Sequence, residues 1–272
     1  MDAFVQGVSV WGPGLQGWAT SQPVLAGLQD YVAGGASPPP STLLSATERR
    51  RTGLAARLAL IVAQQASDMA GIAPGAIPSV FATSNGDGAV VHTILEWLAA
   101  DQPISPTQFH NSVHNTSAGY WSIATGSQQA TTCLACHDST AAAALLKAMA
   151  DVQTERRPLL LCIYDAPLPA PLHAKRQTCG SFGAAFVLAP RAGQSPLCRL
   201  DVHYEGTPPI PGSEAPHLPA LHDLARGNPA ARMLRLLEAM ARNVADDFSM
   251  ALLDGRVAVR VTPCSTARAS SN

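Results

Sequence analysis

A chain of 272 residues that is 47% hydrophobic can bury a sizeable core as one large domain or two small ones, and it is too apolar to stay disordered over most of its length. Its formal net charge is −1 and its densest basic cluster is Arg49-Arg50-Arg51, so it lacks the electrostatic footprint of a nucleic-acid binder or of a protein held on anionic lipid. No stretch approaches the roughly 20 apolar residues of a membrane span, the six cysteines lie in apolar runs suited to a reducing compartment, and MDAFVQGVSVWGPG reads as a first strand and turn rather than a signal peptide; a cytoplasmic protein is expected.

In chain order the pattern predicts a strand over 3–10, a Gly/Pro-rich loop over 32–42, helices within 43–71, a strand over 78–84 and a helix over 88–100. A helix over 111–125, a strand over 130–136, an Ala-rich helix over 139–152 and strands over 157–164 and 182–189 follow. Beyond 190 come a strand over 197–204, a Pro-rich loop over 205–220, helices within 218–246 and a last strand over 255–262. Leu54, Leu58, Ile61, Val62, Ala66 and Met69 recur at helical spacing, as do Met233, Leu236, Leu237, Met240 and Val244, and both stripes read as packing faces. Strands alternating with helices imply an α/β fold whose mainly parallel sheet is covered by helices.

Several motifs carry chemistry on paper. Ser84-Asn-Gly-Asp-Gly88 follows a strand and opens a helix, but it lacks the third glycine and the ribose-binding acid of a dinucleotide site, so a tight turn and cap is expected. Ser181 in Gly180-Ser-Phe-Gly183 precedes a strand, unlike the serine of a nucleophile elbow. Cys133-x-x-Cys136-His137 spells the haem-attachment pattern, yet alternation along a strand sends the two thiols to opposite faces, which also argues against a redox dithiol or zinc knuckle. His110 and His114 stand four apart, as two metal ligands on a helix would, but no convincing third ligand accompanies them. No metal or cofactor is expected. Asp138 opens the helix over 139–152, where a carboxylate can serve as N-cap.

The segment SPTQFHNSVHNTSAGYWSIATG (105–126), with Ser105-Pro106, Asn115, Ala118-Gly119 and Ser122-Ile123 before Gly126, resembles the β-ketoacyl synthase segment that lines the acyl pocket. Counting forward from Ala118-Gly119 without a gap, the nucleophile element of that family falls on His137-Asp138-Ser139-Thr140. TERRRTGLAARLALIVAQQA (47–66), SVFATSNGDG (79–88) and GSFGAAFVLAP (180–190) agree with the same resemblance. The likeness is greatest to the short, ketosynthase-like chain-length-factor proteins of aryl polyene and xanthomonadin-type pigment biosynthesis.

The resemblance implies a thiolase-like, ketosynthase-type half-fold over 1–190, with a short strand, loop and helix extension over 191–272 packed on it. It also implies a pseudoenzyme. Condensation needs a thiolate to hold the acyl chain and histidines to stabilise charge, but Asp138 occupies the nucleophile position and the family's His-Gly-Thr-Gly-Thr and Gly-His-Asn elements are missing. The expected role is a chain-length-factor subunit in a heterodimer with an active ketosynthase, meeting acyl carrier protein through that complex. By resemblance the edge strand near 130–136 would pair antiparallel with its counterpart. Gln108, Phe109, Ser112 and Val113 would then line the partner's acyl tunnel, and His110, His114 and Asn115 would make interface hydrogen bonds. Two alternatives stay open. One is a stand-alone enzyme for acyl transfer or malonyl decarboxylation, using Asp138 with His137 or a neighbouring thiol; the other is a homodimeric acyl-binding scaffold.

Overall fold

The computed structural model describes residues 1–35 and 37–264; Ala36 in the first expected loop and the last eight positions of the expected extension lie outside the described residues. Strand β1 (Asp2–Gly12) alternates buried and half-buried residues at its start and is then buried on both faces. Gly14, at φ 69°, turns the chain so that β2 (Leu15–Gln16) pairs back onto β1. Helix α1 (Trp18–Leu25) follows and was not expected, because Gly17 at its N-cap and Pro23 inside it both read as helix breakers. Ser45 caps α2 (Ala46–Arg51) by accepting from Glu48 N. The long α3 (Leu54–Met69) carries the expected stripe, buried from Leu58 to Ala66 but exposed at Met69.

Strand β3 (Ser79–Ala82) is wholly buried and leads through Ser84–Gly88 into α4 (Gly88–Ala99). That segment is a turn and cap, with Asp87 Oδ1 accepting from Val90 N at 3.2 Å. Where one helix over 111–125 was expected there are two, α5 (Pro106–Ser112) and α6 (Thr116–Thr125). The Thr116 hydroxyl donates to the Val113 and His110 carbonyls, a side-chain substitute for continued helix. Strand β4 (Thr131–Leu134), a 3-10 turn (His137–Ser139) and α7 (Thr140–Glu155) come next, then β5 (Leu159–Asp165), the short α8 (Leu172–Lys175) and β6 (Phe182–Ala189). The chain ends on β7 (Cys198–Glu205), α9 (His222–Gly227), α10 (Leu234–Arg242), β8 (Asp246–Leu252) and β9 (Gly255–Pro263). Helix α10 ends inside the expected helical segment, where Asn243 turns left-handed at φ 52°, and β8, which begins at the end of that segment, was not expected.

These strands form one sheet in the order β4-β3-β5-β6-β1-β7-β9-β8, with β2 attached to β1. The expected parallel pairing is found at β4, β3 and β5, which are joined by helical crossovers; from β6 outward every pair is antiparallel. The link from β5 to β6 carries only α8, and β8 meets β9 across a hairpin turn, so neither connection returns the chain parallel. Strands β7, β9 and β8 of the segment after residue 190 carry the sheet on from β1.

Each face is covered. Leu159, Leu161 and Ile163 pack in one apolar cluster with α7 and α10, while Leu160, Cys162 and Tyr164 join a second cluster with α3 and α6. Burial on both faces explains why β5 and β6 read as unbroken apolar runs. The bend between β4 and α7 lies at the carboxyl ends of the three parallel strands, where an α/β sheet offers its crevice.

Candidate functional site

The bend is built from Cys136 to Thr140. His137 adopts a left-handed backbone, φ 48°, which turns the chain sharply from β4 into the 3-10 turn. Thr140 closes it, its Oγ1 accepting from Cys136 N at 2.9 Å and donating to the His137 carbonyl at 2.7 Å. Asp138 is therefore not the cap that was expected, and Ser139, at the N-cap position of α7, makes no side-chain cap bond either.

The Asp138 carboxylate points instead to a partner the sequence reading missed. Arg176 Nη2 donates to Asp138 Oδ1 at 2.9 Å, Nη1 donates to His137 Nε2 at 2.5 Å and Nε donates to Asn85 Oδ1 at 2.6 Å. Asn85 Nδ2 in turn donates to Thr178 Oγ1 at 3.0 Å. Accepting at Nε2 places the imidazole proton on Nδ1, which lies 3.5 Å from Asp138 Oδ1. The three side chains close a ring in which guanidinium, imidazole and carboxylate satisfy one another. Oδ1 of the carboxylate is thereby committed to the guanidinium. The available signal was the basic pair Lys175-Arg176, but nothing local ties it to a position 38 residues earlier.

Two free thiols lie near the carboxylate, Cys133 on β4 and Cys136 at the start of the bend. Cys133 is half-buried on β4, and burial pushes its thiol above the ordinary range, which disfavours the reactive thiolate. Cys133 packs with the α3 cluster and Cys136 with the α7 cluster, so the two sulfurs lie on opposite faces of the sheet. Behind the bend, Asp165 at the end of β5 is fully buried; Oδ1 accepts from Thr83 Oγ1, Ser84 N and Ser84 Oγ, whereas Oδ2 has no partner among the described residues. Burial raises its pKa against the lowering effect of those hydrogen bonds.

The residues expected at a tunnel or interface sit on α5 and the break after it. Phe109 is 63% exposed, Val113 is exposed, and Gln108 and Ser112 are half-buried. Ser112 Oγ donates to the Phe109 carbonyl at 2.8 Å. His110 stacks edge-on against Tyr120, and His114 Nε2 lies 3.2 Å from the Thr83 carbonyl. The helix break separates the two histidines, and among the described residues no group of three potential metal ligands occurs. Asn115 is exposed at the start of α6 without a side-chain cap bond. Asn111 fixes this segment from within the chain: it is buried, donates to the Arg51 carbonyl at 2.8 Å and accepts from Tyr120 OH at 2.9 Å.

Around these residues lies an apolar surface. Val91, Leu95 and Leu98 recur on one face of α4, which packs beside α5, and all three are exposed, as is Ile123 of α6. Between α6 and β4 runs a groove of about 370 Å³ lined by small side chains, among them Gly119, Ser122 and Thr131. Among the described residues, strand β4 is hydrogen-bonded to β3 alone.

A sheet with helices on both faces, a strand-to-helix bend after its edge strand and an exposed acyl-pocket-like segment define a thiolase-like, ketosynthase-type protein. The chain belongs to the β-ketoacyl synthase family, whose N-terminal domain profile matches residues 21–243. The ketosynthase ApeO in complex with its chain length factor ApeC, from Xenorhabdus doucetiae, is similar at TM-score 0.72 and 18% identity over 96% of this chain and 99% of that one. The ishigamide ketosynthase/chain length factor is similar at TM-score 0.68 and 15% identity over 96% and 99%. A third structure, the type II polyketide synthase ketosynthase AntDE with its acyl-carrier protein AntF, is similar at TM-score 0.70 and 10% identity over 97% and 99%. At these identities the likeness is one of fold. No curated protein sequence matches the chain. Among the described residues, no helix is long and apolar enough to cross a membrane.

Proposed function

We propose that this chain is a non-catalytic, chain-length-factor-type subunit that pairs through β4 with an active ketosynthase and helps to shape its acyl tunnel in polyene or related polyketide biosynthesis. The observation that carries the reading is β4 itself: the strand is open along one side, and it ends in a carboxylate clamped by Arg176 where condensation would require a thiolate. An open edge next to exposed apolar helices suits a permanent interface, which typically buries more than about 2,000 Å² in total. Phe109, Val113, Gln108 and Ser112 would travel with α5 to the partner's tunnel, and acyl carrier protein would meet the chain through the complex.

The test has two parts. Incubated with acyl-loaded carrier protein, the isolated chain should carry no acyl group on Cys133, Cys136 or Asp138 by mass spectrometry; a stoichiometric thioester would make it an enzyme in its own right. Mixed with an active ketosynthase from the same organism, the chain should co-elute as a heterodimer. A stable homodimer or monomer that ignores the ketosynthase would sink the proposal.

A further inference from the structure

Beside the Asp138–Arg176 pair a cavity of about 270 Å³ opens between the bend, the segment after α8 and the turn that follows α9. Lys175, Arg176, Arg226 and Arg232 border it, and Asp138 is the one carboxylate among its lining residues. Arg176 is committed to Asp138, His137 and Asn85. Arg232 is largely buried and has Glu214 at 3.5 Å. Arg226 has only Asp223, 4.0 Å away between two solvated side chains, where such a contact holds little charge in place. Lys175 is exposed and makes no ion pair among the described residues.

Two cations facing one concavity are thus uncompensated, and a cleft in which cations outnumber carboxylates four to one concentrates anions. A monovalent anion would neutralise one of them; a compact dianion would neutralise both. Guanidinium groups match the oxygens of a phosphoryl group in pairs, which a chloride ion cannot exploit. The volume lies below the roughly 300–1,000 Å³ of drug-sized pockets, so the fit is to a small anionic group. We propose that this cavity is a binding site for a phosphate-class dianion, the phosphomonoester or diphosphate group of a small molecule, held by Lys175, Arg226 and Arg232. Arg176 serves as a fixed wall, and Asp138 opposes the ligand.

Isothermal titration of the full chain with pyrophosphate, inorganic phosphate, malonate and dimethyl phosphate tests the proposal. Pyrophosphate should bind best and dimethyl phosphate worst. Arg226→Glu and Lys175→Glu alter solvated side chains, so melting curves should be unchanged while pyrophosphate affinity falls about tenfold or more in each, the loss expected when a charged hydrogen bond is removed. Asp138→Asn removes the opposing carboxylate and should tighten binding, a gain that a purely structural role for Asp138 would not produce. Indistinguishable affinities for all four anions, no binding at millimolar concentration, or binding unaffected by both charge reversals would each overturn it.

Discussion

The two edges of the sheet are finished differently. Strand β8 at one end offers its outward N–H groups at Asp247, Ser249 and Ala251, and each has a side-chain acceptor: Asp246 Oδ1 at 3.0 Å, Ser213 Oγ at 2.8 Å and Glu214 Oε2 at 3.4 Å. Strand β4 at the other end bonds to β3 through its even-numbered residues, as Ser79 N to Ala130 O and Thr83 N to Leu134 O indicate. The peptide groups of Thr131 and Cys133 therefore face outward, with no backbone partner among the described residues. No charge or proline interrupts Thr131–Leu134, whereas β8 begins with two aspartates. One edge carries charges and side-chain acceptors against strand addition, and the other is guarded by nothing but its shortness. Exposed backbone is kept where a partner strand would use it.

The hardest test of this contrast is Thr131→Pro. It removes an outward N–H and leaves the backbone bonds to β3 in place, giving up only the Thr131–Ser79 hydroxyl contact at 3.0 Å, so the isolated chain should still fold while co-elution with the ketosynthase is lost. If the heterodimer persists, pairing does not run through β4. A smaller effect is expected from volume on α5: if Ser112 lines the tunnel as proposed, Ser112→Phe overfills it, a change that typically costs about 1–3 kcal/mol, so reconstituted assays should yield shorter products. Phe109→Ala should lengthen or blur the distribution. Products of wild-type length from both variants would remove α5 from the tunnel.

The opposite manipulation is to uncover β8. Ser213→Ala with Glu214→Ala strips two of its three acceptors and should lower stability by about 1 kcal/mol for each hydrogen bond, with concentration-dependent self-association appearing in sedimentation. The smallest effect is one of pH. Burial pushes the Asp246 carboxyl up, but the paired hydrogen bonds and charge of Arg235 outweigh it and hold the group below the ordinary carboxylate range. A lowered folded-state pKa stabilises the fold above the ordinary value of about 3.9 and is lost as pH falls through the lower one. Asp246→Asn should therefore melt below the parent chain at neutral pH and converge with it in acid. A gap that stays constant with pH would mean that Asp246 acts through packing alone.

The sequence made some of this legible and hid the rest for physical reasons. Hydrophobic period revealed α3, α7 and the buried strands, because both faces of the sheet demand apolar residues there. It missed α1, which holds Pro23 inside a helix of eight residues, and β8, whose Phe248, Met250 and Leu252 do alternate but follow two acids. Strand direction beyond β5 is decided by which connections cross the sheet, a long-range property. The bend was found from the spacing after Ala118-Gly119, yet the Arg176 clamp was not, since Asp138, His137 and Asn85 meet it only in the fold.

The side-chain acceptors on β8 also set a limit on stoichiometry. A sheet with two sticky ends would polymerise, each added chain offering a fresh end to the next. Here the far end is already closed, so a pair joined at β4 presents no second template from this chain. Growth of the assembly would therefore stop on this chain's side by geometry, at any concentration, without a separate stop signal.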